Sequence, residues 1–250
     1  MTRKRAAAPK LSIVLPVYNE GEAVEPVLRG LAAGVSTAHE LVVVYDFDED
    51  MTVPVIARLL AEIPGLRGVR NDLGRGVLNA MKAGIAATSA PYVLISMADG
   101  SDEPAIVDRM VELAEGGADV VAASRYMPGG RQLGGPFVKR TMSRLAGLTL
   151  HWFAGVETHD PTNNFKLYSR RFLDATTIES TAGFELALEL TVKATRARRR
   201  VAEVPTTWRD RTAGQSNFKL RKWLPHYLHW YRIAFGGLMH RRLRGSPVER

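Results

Sequence analysis

The sequence predicts an α/β fold, in which a mainly parallel sheet carries helices on both faces. Over the first 124 residues, short apolar runs rich in β-branched residues alternate with segments whose apolar residues recur at helical spacing. Such alternation is typical of βαβ units, which build parallel sheets. The apolar runs are uninterrupted, as expected for strands that are buried on both faces.

Each predicted element has its own signal. The run at 11–18, Leu-Ser-Ile-Val-Leu-Pro-Val-Tyr, predicts a buried strand, and apolar residues at 24, 27, 28 and 31 predict a helix over 22–33. Further strands are predicted at 41–45, 68–70, 92–96 and 119–123, with helices at 54–61, 77–88 and 103–115. Glycine and proline at 126–136 predict a loop. Beyond it we predict a helix at 139–153, a strand at 165–168, a helix at 183–197 and a strand at 201–205.

The composition excludes several classes of protein. With 46% hydrophobic and 24% charged residues among 250, the chain is neither disordered throughout nor fibrous. It contains no cysteine, which excludes a disulfide framework, a thiolate zinc site, an iron–sulfur cluster and a cysteine nucleophile. No apolar run approaches the roughly 20 residues that span a bilayer, and the basic start lacks the apolar core of a secretory signal.

The net charge of +8 is unevenly distributed. Residues 193–250 hold 15 Lys and Arg against three acidic residues, a net +12, which leaves −4 for the remainder. A basic C-terminal segment on an acidic body favours a polyanionic partner, such as anionic lipid, a phosphorylated substrate or nucleic acid. A basic surface that serves only solubility is the alternative.

Polar and acidic residues follow three of the predicted strands. Asn19 and Glu20 come after the first strand, residues 46–50 hold four acids after the second, and Asp99 and Asp102 follow the strand at 92–96. Open α/β sheets bind ligands beyond the carboxyl ends of their strands. Carboxylates there are suited to a hard cation such as Mg2+ or Mn2+, to hydroxyl recognition or to acid–base chemistry. A single acidic turn is more often only exposed surface, whereas three such turns at one edge of the sheet favour a binding site.

Five motifs, taken together, resemble a known family. They occur in the family's order between residue 11 and about residue 220, and each alone is weak. The family is that of inverting glycosyltransferases with the GT-A fold, family 2, and the resemblance is to polyprenyl-phosphate glycosyltransferases of the dolichol-phosphate mannosyltransferase kind. The motifs are L-S-I-V-L-P-V-Y-N-E at 11–20, S-R-Y-M-P-G-G at 124–130, D-P-T-N-N-F-K at 160–166, G-F-E at 183–185 and D-R-T-A-G-Q-S at 210–216.

The resemblance implies a role for individual residues. Those that would bind the nucleotide-sugar donor are Pro16, Tyr18, Glu20, Asp46 and Asp99. Those that would face the diphosphate and the acceptor phosphate are Arg125, Arg140, Arg211, Ser216 and Lys219. The metal ligands would be Asp99 and Ser101, and the catalytic group would comprise Asp99, Arg125 and Asp102.

Two departures from the family pattern concern the metal. The family's D-A-D is Met97-Ala98-Asp99 here, so its first carboxylate is missing, and Ser101 occupies a position where the family has Gln. The region at 45–52 loses both of the family's glycines and gains acids. Metal binding is then expected to be weaker, or to be rebuilt with Asp48, Asp50 or Asp102.

The function expected from the resemblance is transfer of a hexose, mannose or glucose, from GDP- or UDP-sugar to a polyprenyl phosphate with inversion. A lipid phosphate is already an anionic nucleophile, whereas a hydroxyl acceptor needs a base, for which Asp102 or Glu185 are candidates. The chain lacks the Q-x-x-R-W motif of processive synthases. The alternatives are a degenerate homologue, a nucleotidyltransferase and a basic nucleic-acid-binding protein. Nucleic acid is not an expected partner, because the acidic strand ends would repel phosphates.

The C-terminal region predicts an amphipathic helix. An apolar stripe recurs at helical spacing, and a cationic, aromatic helix of this kind is suited to an anionic membrane surface. The alternative is a helix that packs on the catalytic domain. The predicted division is a disordered basic tail at 1–10, a GT-A domain at 11–218, an interfacial helix at 219–240 and a basic tail at 241–250. The expected location is peripheral, at the cytoplasmic membrane face, with a membrane-anchoring partner subunit. The stripe consists of Leu220, Trp223, Leu224, Tyr227, Leu228, Tyr231, Phe235 and Leu238.

Overall fold

The computed structural model describes residues 8–210 and 220–242. The strands are β1 (Leu11–Pro16), β2 (His39–Tyr45), β3 (Leu66–Arg70), β4 (Tyr92–Ile95), β5 (Val120–Ser124), β6 (Arg131–Leu133), β7 (Lys166–Ser169), β8 (Val201–Pro205) and β9 (Thr207–Arg209). The α-helices are α1 (Val24–Gly34), α2 (Thr52–Leu59), α3 (Val77–Ala86), α4 (Val107–Glu115), α5 (Phe137–Ala154), α6 (Arg170–Asp174), α7 (Leu186–Arg196) and α8 (Leu220–Arg242).

One mixed sheet of seven strands organises the fold, in the order β3-β2-β1-β4-β7-β5-β8. Only β7 runs antiparallel within it, against both β4 and β5, and the other pairs are parallel. The carboxyl ends of β1, β2, β4 and β5 therefore meet at one edge. Because β7 is reversed, the segment that enters it, 160–165, reaches the same edge. The topology thus brings three of the five motifs, those at 11–20, 124–130 and 160–166, to one edge, together with the acidic residues that follow β2 and β4.

The core lies on both faces of this sheet, as predicted. All six residues of β1 are buried. On one face, Ile13 and Leu15 pack in a cluster with helices α1, α2 and α4. On the other, Val14 packs in a cluster with α3 and α7. Helix α3 lies so close that a Cβ on Gly84 would come within 2.3 Å of Val14 Cγ1.

The predicted loop at 126–136 contains a short strand. Its β6 pairs in parallel with β9, with Arg131 opposite Thr207 and Leu133 opposite Arg209. Three-residue strands carry too little periodicity to be recognised, and this pair forms only because the main sheet brings β5 and β8 side by side. The five-residue helix α6 was not predicted either, although Ser169 caps it by accepting the Phe172 N–H.

Helix α8 packs on helices α5 and α7 over the part whose side chains are described, 224–236. Trp230 and Ala234 are buried in a cluster with Leu150 of α5 and Leu188 of α7. The Tyr231 hydroxyl donates to Thr149 Oγ1 at 2.9 Å. The packed alternative therefore describes this part. Tyr227, Tyr231 and Phe235 of the predicted stripe pack against the same cluster, whereas its buried members on α8, Trp230 and Ala234, lie outside the stripe. No helix within 8–210 and 220–242 is long and apolar enough to cross a membrane.

Candidate functional site

The turns after β1 and β2 are bonded to each other at the sheet edge. The Asp50 carboxylate accepts the Asn19 N–H at 2.9 Å and the Thr52 N–H at 2.8 Å. The Thr52 hydroxyl accepts the Glu20 N–H at 3.0 Å. Asp50 is buried in this role, so the geometry gives no support to Asp50 as a ligand of a rebuilt metal site. It fixes the loop that carries Asn19 and Glu20.

Asp46, the predicted base-reading residue at the end of β2, orients the glycine-rich segment at 73–76. Its carboxylate accepts the Asn71 Nδ2–H at 2.7 Å and the Gly76 N–H at 2.9 Å. Asp48 is exposed and lies 3.5 Å from Arg70 Nε. Asp48 is thus turned towards β3, and the expectation that it joins a metal site near Asp99 has no support in the geometry.

Two aromatic rings, one exposed and one half-buried, lie together beyond β1 and β2. The Tyr18 and Phe47 rings meet edge to face at 5.8 Å, and the Arg75 guanidinium lies 4.6 Å above the Phe47 ring. Tyr18 is exposed, whereas Pro16 is buried opposite Val44 of β2. Flat apolar rings beside hydrogen-bonding groups are suited to a nucleobase. Sequence reasoning missed Phe47 and Arg75, although an aromatic residue inside an acidic strand end was a usable signal.

A cavity of about 490 Å3 opens at the same edge, between the ends of β4 and β5 and helices α5 and α8. Four predicted residues line it together, namely Asp99, Asp102, Arg125 and Arg140. One wall is largely apolar, and the cavity therefore combines charged groups with a surface suited to hydrocarbon. The residues of that wall are Pro136, Met142, Ala146, Phe184, Trp208, Leu224 and Tyr227.

Arg125, which lines this cavity, forms a two-point ion pair with the fully buried Asp160 behind it. The distances are 2.6 Å from Arg125 Nε to Asp160 Oδ2 and 2.9 Å from Nη2 to Oδ1. The Arg125 N–H also donates to Asp160 Oδ2 at 3.1 Å. Burial alone would raise the pKa of Asp160, but the Arg125 guanidinium lowers it and keeps the carboxylate ionised. The pair fixes the guanidinium at the cavity wall.

Lys166, the first residue of β7, holds the segment that contains Asp160. It is fully buried, and its ammonium donates to the carbonyl oxygens of Asp160, at 2.9 Å, and Asn163. Burial lowers the pKa of Lys166 to about 7, against the opposing effect of the Asp160 carboxylate. Helix α5 approaches this segment closely, because a Cβ on Gly147 would lie 2.1 Å from the His159 carbonyl oxygen.

The fit to a divalent cation rests on Asp99 and Asp102. Burial, together with the nearby Asp99 carboxylate, raises the pKa of Asp102 to about 8, as expected where two carboxylates share one site. Mg2+ is commonly held by one or two carboxylates together with substrate phosphates, so this pair fits. Within the described chain no cluster of three His, Cys, Asp or Glu is able to hold a metal by itself. The Ser101 hydroxyl is buried without a partner and does not line the cavity, which speaks against Ser101 as a ligand.

The remaining predicted residues divide into two groups. Glu185 is buried and accepts the N–H groups of Ala182, at 2.9 Å, and Gly183, at 2.7 Å. It stabilises its own turn and does not line the cavity, so it is not placed to act as a base. The phosphate-binding candidates Arg211, Ser216 and Lys219 lie outside the described residues.

Comparison with known proteins gives consistent results. The model of a family described as glycosyl transferase family 2 matches residues 12–177. Polyprenol monophosphomannose synthase of Mycolicibacterium smegmatis is 28% identical over 230 residues, covering 84% of this chain and 85% of the relative. Dolichol-phosphate mannosyltransferase of Pyrococcus furiosus is 24% identical over 229 residues, covering 90% of this chain but only 63% of that protein's length.

A solved structure confirms the GT-A fold expected from the sequence. It is glucosyl-3-phosphoglycerate synthase from Mycobacterium tuberculosis in complex with Mn2+, UDP-glucose and phosphoglyceric acid. The TM-score is 0.66 at 21% identity, with 92% of this chain and 81% of that chain covered. At this level of identity the likeness concerns the fold alone.

Proposed function

The chain belongs to glycosyltransferase family 2, and we propose that it transfers a hexose, mannose or glucose, from GDP- or UDP-sugar to a polyprenyl phosphate with inversion. The observation that carries this proposal is the cavity of about 490 Å3, which combines cationic and acidic groups with an apolar wall. A polyprenyl phosphate has the same division into an anionic head and a hydrocarbon tail. Two similar proteins are named for lipids of this class, polyprenol monophosphomannose and dolichol phosphate.

The charges in the cavity support an anionic acceptor head. Arg125 and Arg140 line the cavity and are the described cations suited to bind its phosphate. The hydrocarbon tail would lie against Met142, Ala146 and Leu224, which come from α5 and α8. Helices α5 and α8 would thus form the wall of the cavity along which the lipid tail lies.

The donor would lie along the sheet edge. Its base would contact the Tyr18 and Phe47 rings, and its diphosphate would extend towards Asp99 and Asp102. These two carboxylates would hold Mg2+ or Mn2+, which supplies charge neutralisation for the diphosphate leaving group. Arg125 adds fixed positive charge, held in place by Asp160 at 2.6 Å.

The reaction itself needs little from the protein beyond positioning and charge. An oxygen of the acceptor phosphate attacks the anomeric carbon from the face opposite the diphosphate. The new C–O bond forms as the bond to the nucleotide diphosphate breaks, and the electron pair leaves on the diphosphate. The acceptor is ionised at neutral pH, so no general base is required, and catalysis is by orientation and electrostatics.

A hydroxyl-bearing, non-lipid acceptor is the second candidate, and Asp102 favours it. Its carboxyl lines the cavity, and its pKa is raised to about 8. A base of that pKa is matched to proton abstraction near neutral pH. The two candidates differ in what they require of Asp102. A hydroxyl acceptor needs its carboxylate as a base, whereas an ionised phosphate acceptor does not.

The first test is calorimetric titration with GDP and UDP, each with and without Mn2+. We expect micromolar binding of one nucleotide that depends on the metal, and its loss in the Asp99→Asn variant, with Asp48→Asn as a matched control. Transfer is then measured with a short-chain polyprenyl phosphate and with phosphoglyceric acid as acceptors. Absence of nucleotide binding with metal present would refute the donor site and favour the degenerate alternative. Transfer to phosphoglyceric acid alone would favour the second candidate.

The location that follows is peripheral, at the cytoplasmic face of a membrane that contains the acceptor. A membrane-anchoring partner subunit stays a prediction from the sequence.

A further inference from the structure

His159, the residue before Asp160, makes contacts of its own outside the cavity. Its side chain is half-buried, and its Nδ1 lies 2.6 Å from Glu203 Oε1 on β8. The His159 N–H also donates to Glu203, to Oε2 at 2.8 Å. Because a carboxylate only accepts hydrogen bonds, the Nδ1 of His159 carries a proton and is the donor. Glu203 therefore holds His159 both by its main chain and by its ring.

The same carboxylate is linked to Asp160 through one hydroxyl group. The Thr158 hydroxyl donates to Glu203 Oε2 at 2.9 Å, and Thr158 Oγ1 accepts the Asp160 N–H at 3.1 Å. Thr158 and Asp160 are both fully buried, so water is not at hand to replace either bond. Hydrogen bonds thus run without a break from Glu203 to Asp160 and, through the Asp160 carboxylate, to the Arg125 guanidinium.

His159 also contacts helix α5, which forms one wall of the cavity. Its ring stacks on that of His151, with the centroids 3.9 Å apart and the planes inclined by 29°. The His151 ring is itself fixed, because its Nδ1 lies 2.8 Å from the Val156 carbonyl oxygen, which only accepts. Gly147 of the same helix lies against the His159 carbonyl oxygen and leaves no room for a Cβ. At His159, therefore, β8, α5 and the segment that carries Asp160 meet.

These contacts bear on the reaction through Arg125, which lines the cavity just beyond the end of β5. Strand β5 pairs with β8, and Ala122 of β5 is opposite Glu203. A displacement of about 1 Å at a group that positions a substrate can lower a rate by about a hundredfold. The ion pair with Asp160 fixes Arg125, so whatever fixes Asp160 also sets where the guanidinium lies.

We propose that Glu203 and His159 are positioning residues, which hold segment 158–160 so that Arg125 presents its guanidinium to the acceptor phosphate. Neither residue lines the cavity, so both act through Asp160 and not on the substrate. The inference rests on the proposed function, because it deepens the role that this function gives to Arg125.

The first measurement needs no substrate. The Arg125 N–H donates to Asp160 Oδ2 at 3.1 Å, so its rate of hydrogen exchange, resolved by NMR, reports whether Asp160 is in place. Glu203→Leu leaves the Thr158 hydroxyl and the His159 N–H without their acceptor and should speed this exchange at least about tenfold. Exchange at Val42 in β2 should stay unchanged, which separates a local displacement from a loss of global stability.

Transfer to a short-chain polyprenyl phosphate is the second measurement. Glu203→Leu should raise KM for this acceptor at least about fivefold and leave KM for the nucleotide sugar unchanged, because the donor surface lies on the turns after β1 and β2. A variant that had only lost folded protein would lower kcat and leave both KM values alone. Wild-type protein without transfer would refute the proposed function, and the exchange measurement would then decide on the positioning by itself.

A conservative variant should rescue the effect. In Glu203→Gln the amide oxygen still accepts from the Thr158 hydroxyl and the His159 N–H, while the amide N–H donates to Nδ1 of the other His159 tautomer. Most of the loss in Glu203→Leu should therefore be recovered. His159→Ala removes the ring but keeps the main-chain bond, so it should speed Arg125 exchange less than Glu203→Leu does. It decides the matter if Glu203→Leu does not fold, which circular dichroism reports.

Glu40→Leu is the matched control. The Glu40 side chain is 16% exposed against 13% for Glu203, and it accepts bonds from Ser12 and Arg67, but it lies near the start of β2, at the other edge of the sheet. It should lower stability without changing Arg125 exchange or the acceptor KM.

Two results would overturn the proposal. One is wild-type exchange at the Arg125 N–H in both Glu203→Leu and His159→Ala. The other is equal acceleration of exchange at Arg125 and Val42, which would assign Glu203 to global stability alone.

Discussion

Replacing Asp160 by Asn should destabilise the protein strongly, because it removes one half of a buried ion pair. Asp160 is fully buried, and its carboxylate accepts two side-chain hydrogen bonds from Arg125, at 2.6 and 2.9 Å. It also accepts the N–H groups of Arg125, at 3.1 Å, and Asn163, at 3.2 Å. The new amide would direct N–H groups at a guanidinium that has only donors.

The size of the effect follows from the burial of both partners. The Arg125 side chain is only 11% exposed, so its charge would lose its partner without gaining water. Removal of one partner from a buried pair typically costs about 3–5 kcal/mol. For a chain of this length, each kcal/mol lowers the melting temperature by about 2–4 °C, so we expect a fall of roughly 10 °C.

Urea unfolding and calorimetry would measure the change for Asp160→Asn, with Asp48→Asn as an exposed control that should change little. The Arg125→Met/Asp160→Leu variant removes both charges and should be more stable than Asp160→Asn, although inactive, because Arg125 lines the cavity. A fall in melting temperature of less than 2 °C for Asp160→Asn would refute the reasoning. So would a double variant whose loss of stability equals the sum of the losses of Arg125→Met and Asp160→Leu.

Two further predictions concern the cavity. The pKa of Asp102 is raised to about 8, so between pH 4 and pH 8 the folded state binds more protons than the unfolded state, and this group's contribution makes the free energy of unfolding fall as pH rises. In urea titrations, the free energy of unfolding of Asp102→Asn should therefore rise relative to that of wild type between pH 4 and pH 8. If the difference between the two proteins does not change with pH, burial does not perturb this carboxyl. Ala146→Phe fills part of the apolar wall and should raise KM for a polyprenyl phosphate at least about tenfold, with GDP or UDP affinity unchanged in calorimetry. An unaltered KM would remove α5 from the acceptor site.

Much of the fold was predictable from the sequence, because local patterns reflect burial directly. The uninterrupted apolar runs that became β1, β2, β4 and β5 are buried on both faces, and that condition is visible without any partner. The acidic turns after three of them were correctly expected at one edge, since parallel strands end on the same side. The elements that were not predicted are short. Strands β6 and β9 have three residues each, and their pairing joins segments that are far apart in the sequence.

The candidate site was predicted in part. Asp99, Asp102, Arg125 and Arg140, to which the resemblance assigned donor, metal and phosphate roles, line one cavity, and those roles stay predictions. The bonds that Asp50 makes to the loop after β1 were not predicted, because a carboxylate in a loop looks the same in the sequence whether it faces solvent or accepts two backbone N–H groups. Phe47 and Arg75 were missed for a related reason, since they meet only after β2 and the glycine-rich turn are folded together.

The sequence by itself determined the family, the alternation of strands and helices, and the types of residue that meet at the sheet edge. The tertiary structure decided which of these side chains line the cavity or face solvent and which are held in internal contacts. It fixed Arg125 against Asp160, and it turned Trp230 of α8 inwards while leaving Trp152 of α5 exposed. Both helices carry aromatic residues and cations at helical spacing, so periodicity alone cannot rank them. Which face is covered depends on the partner surface, here Leu150 and Leu188, and that surface exists only once the chain has folded.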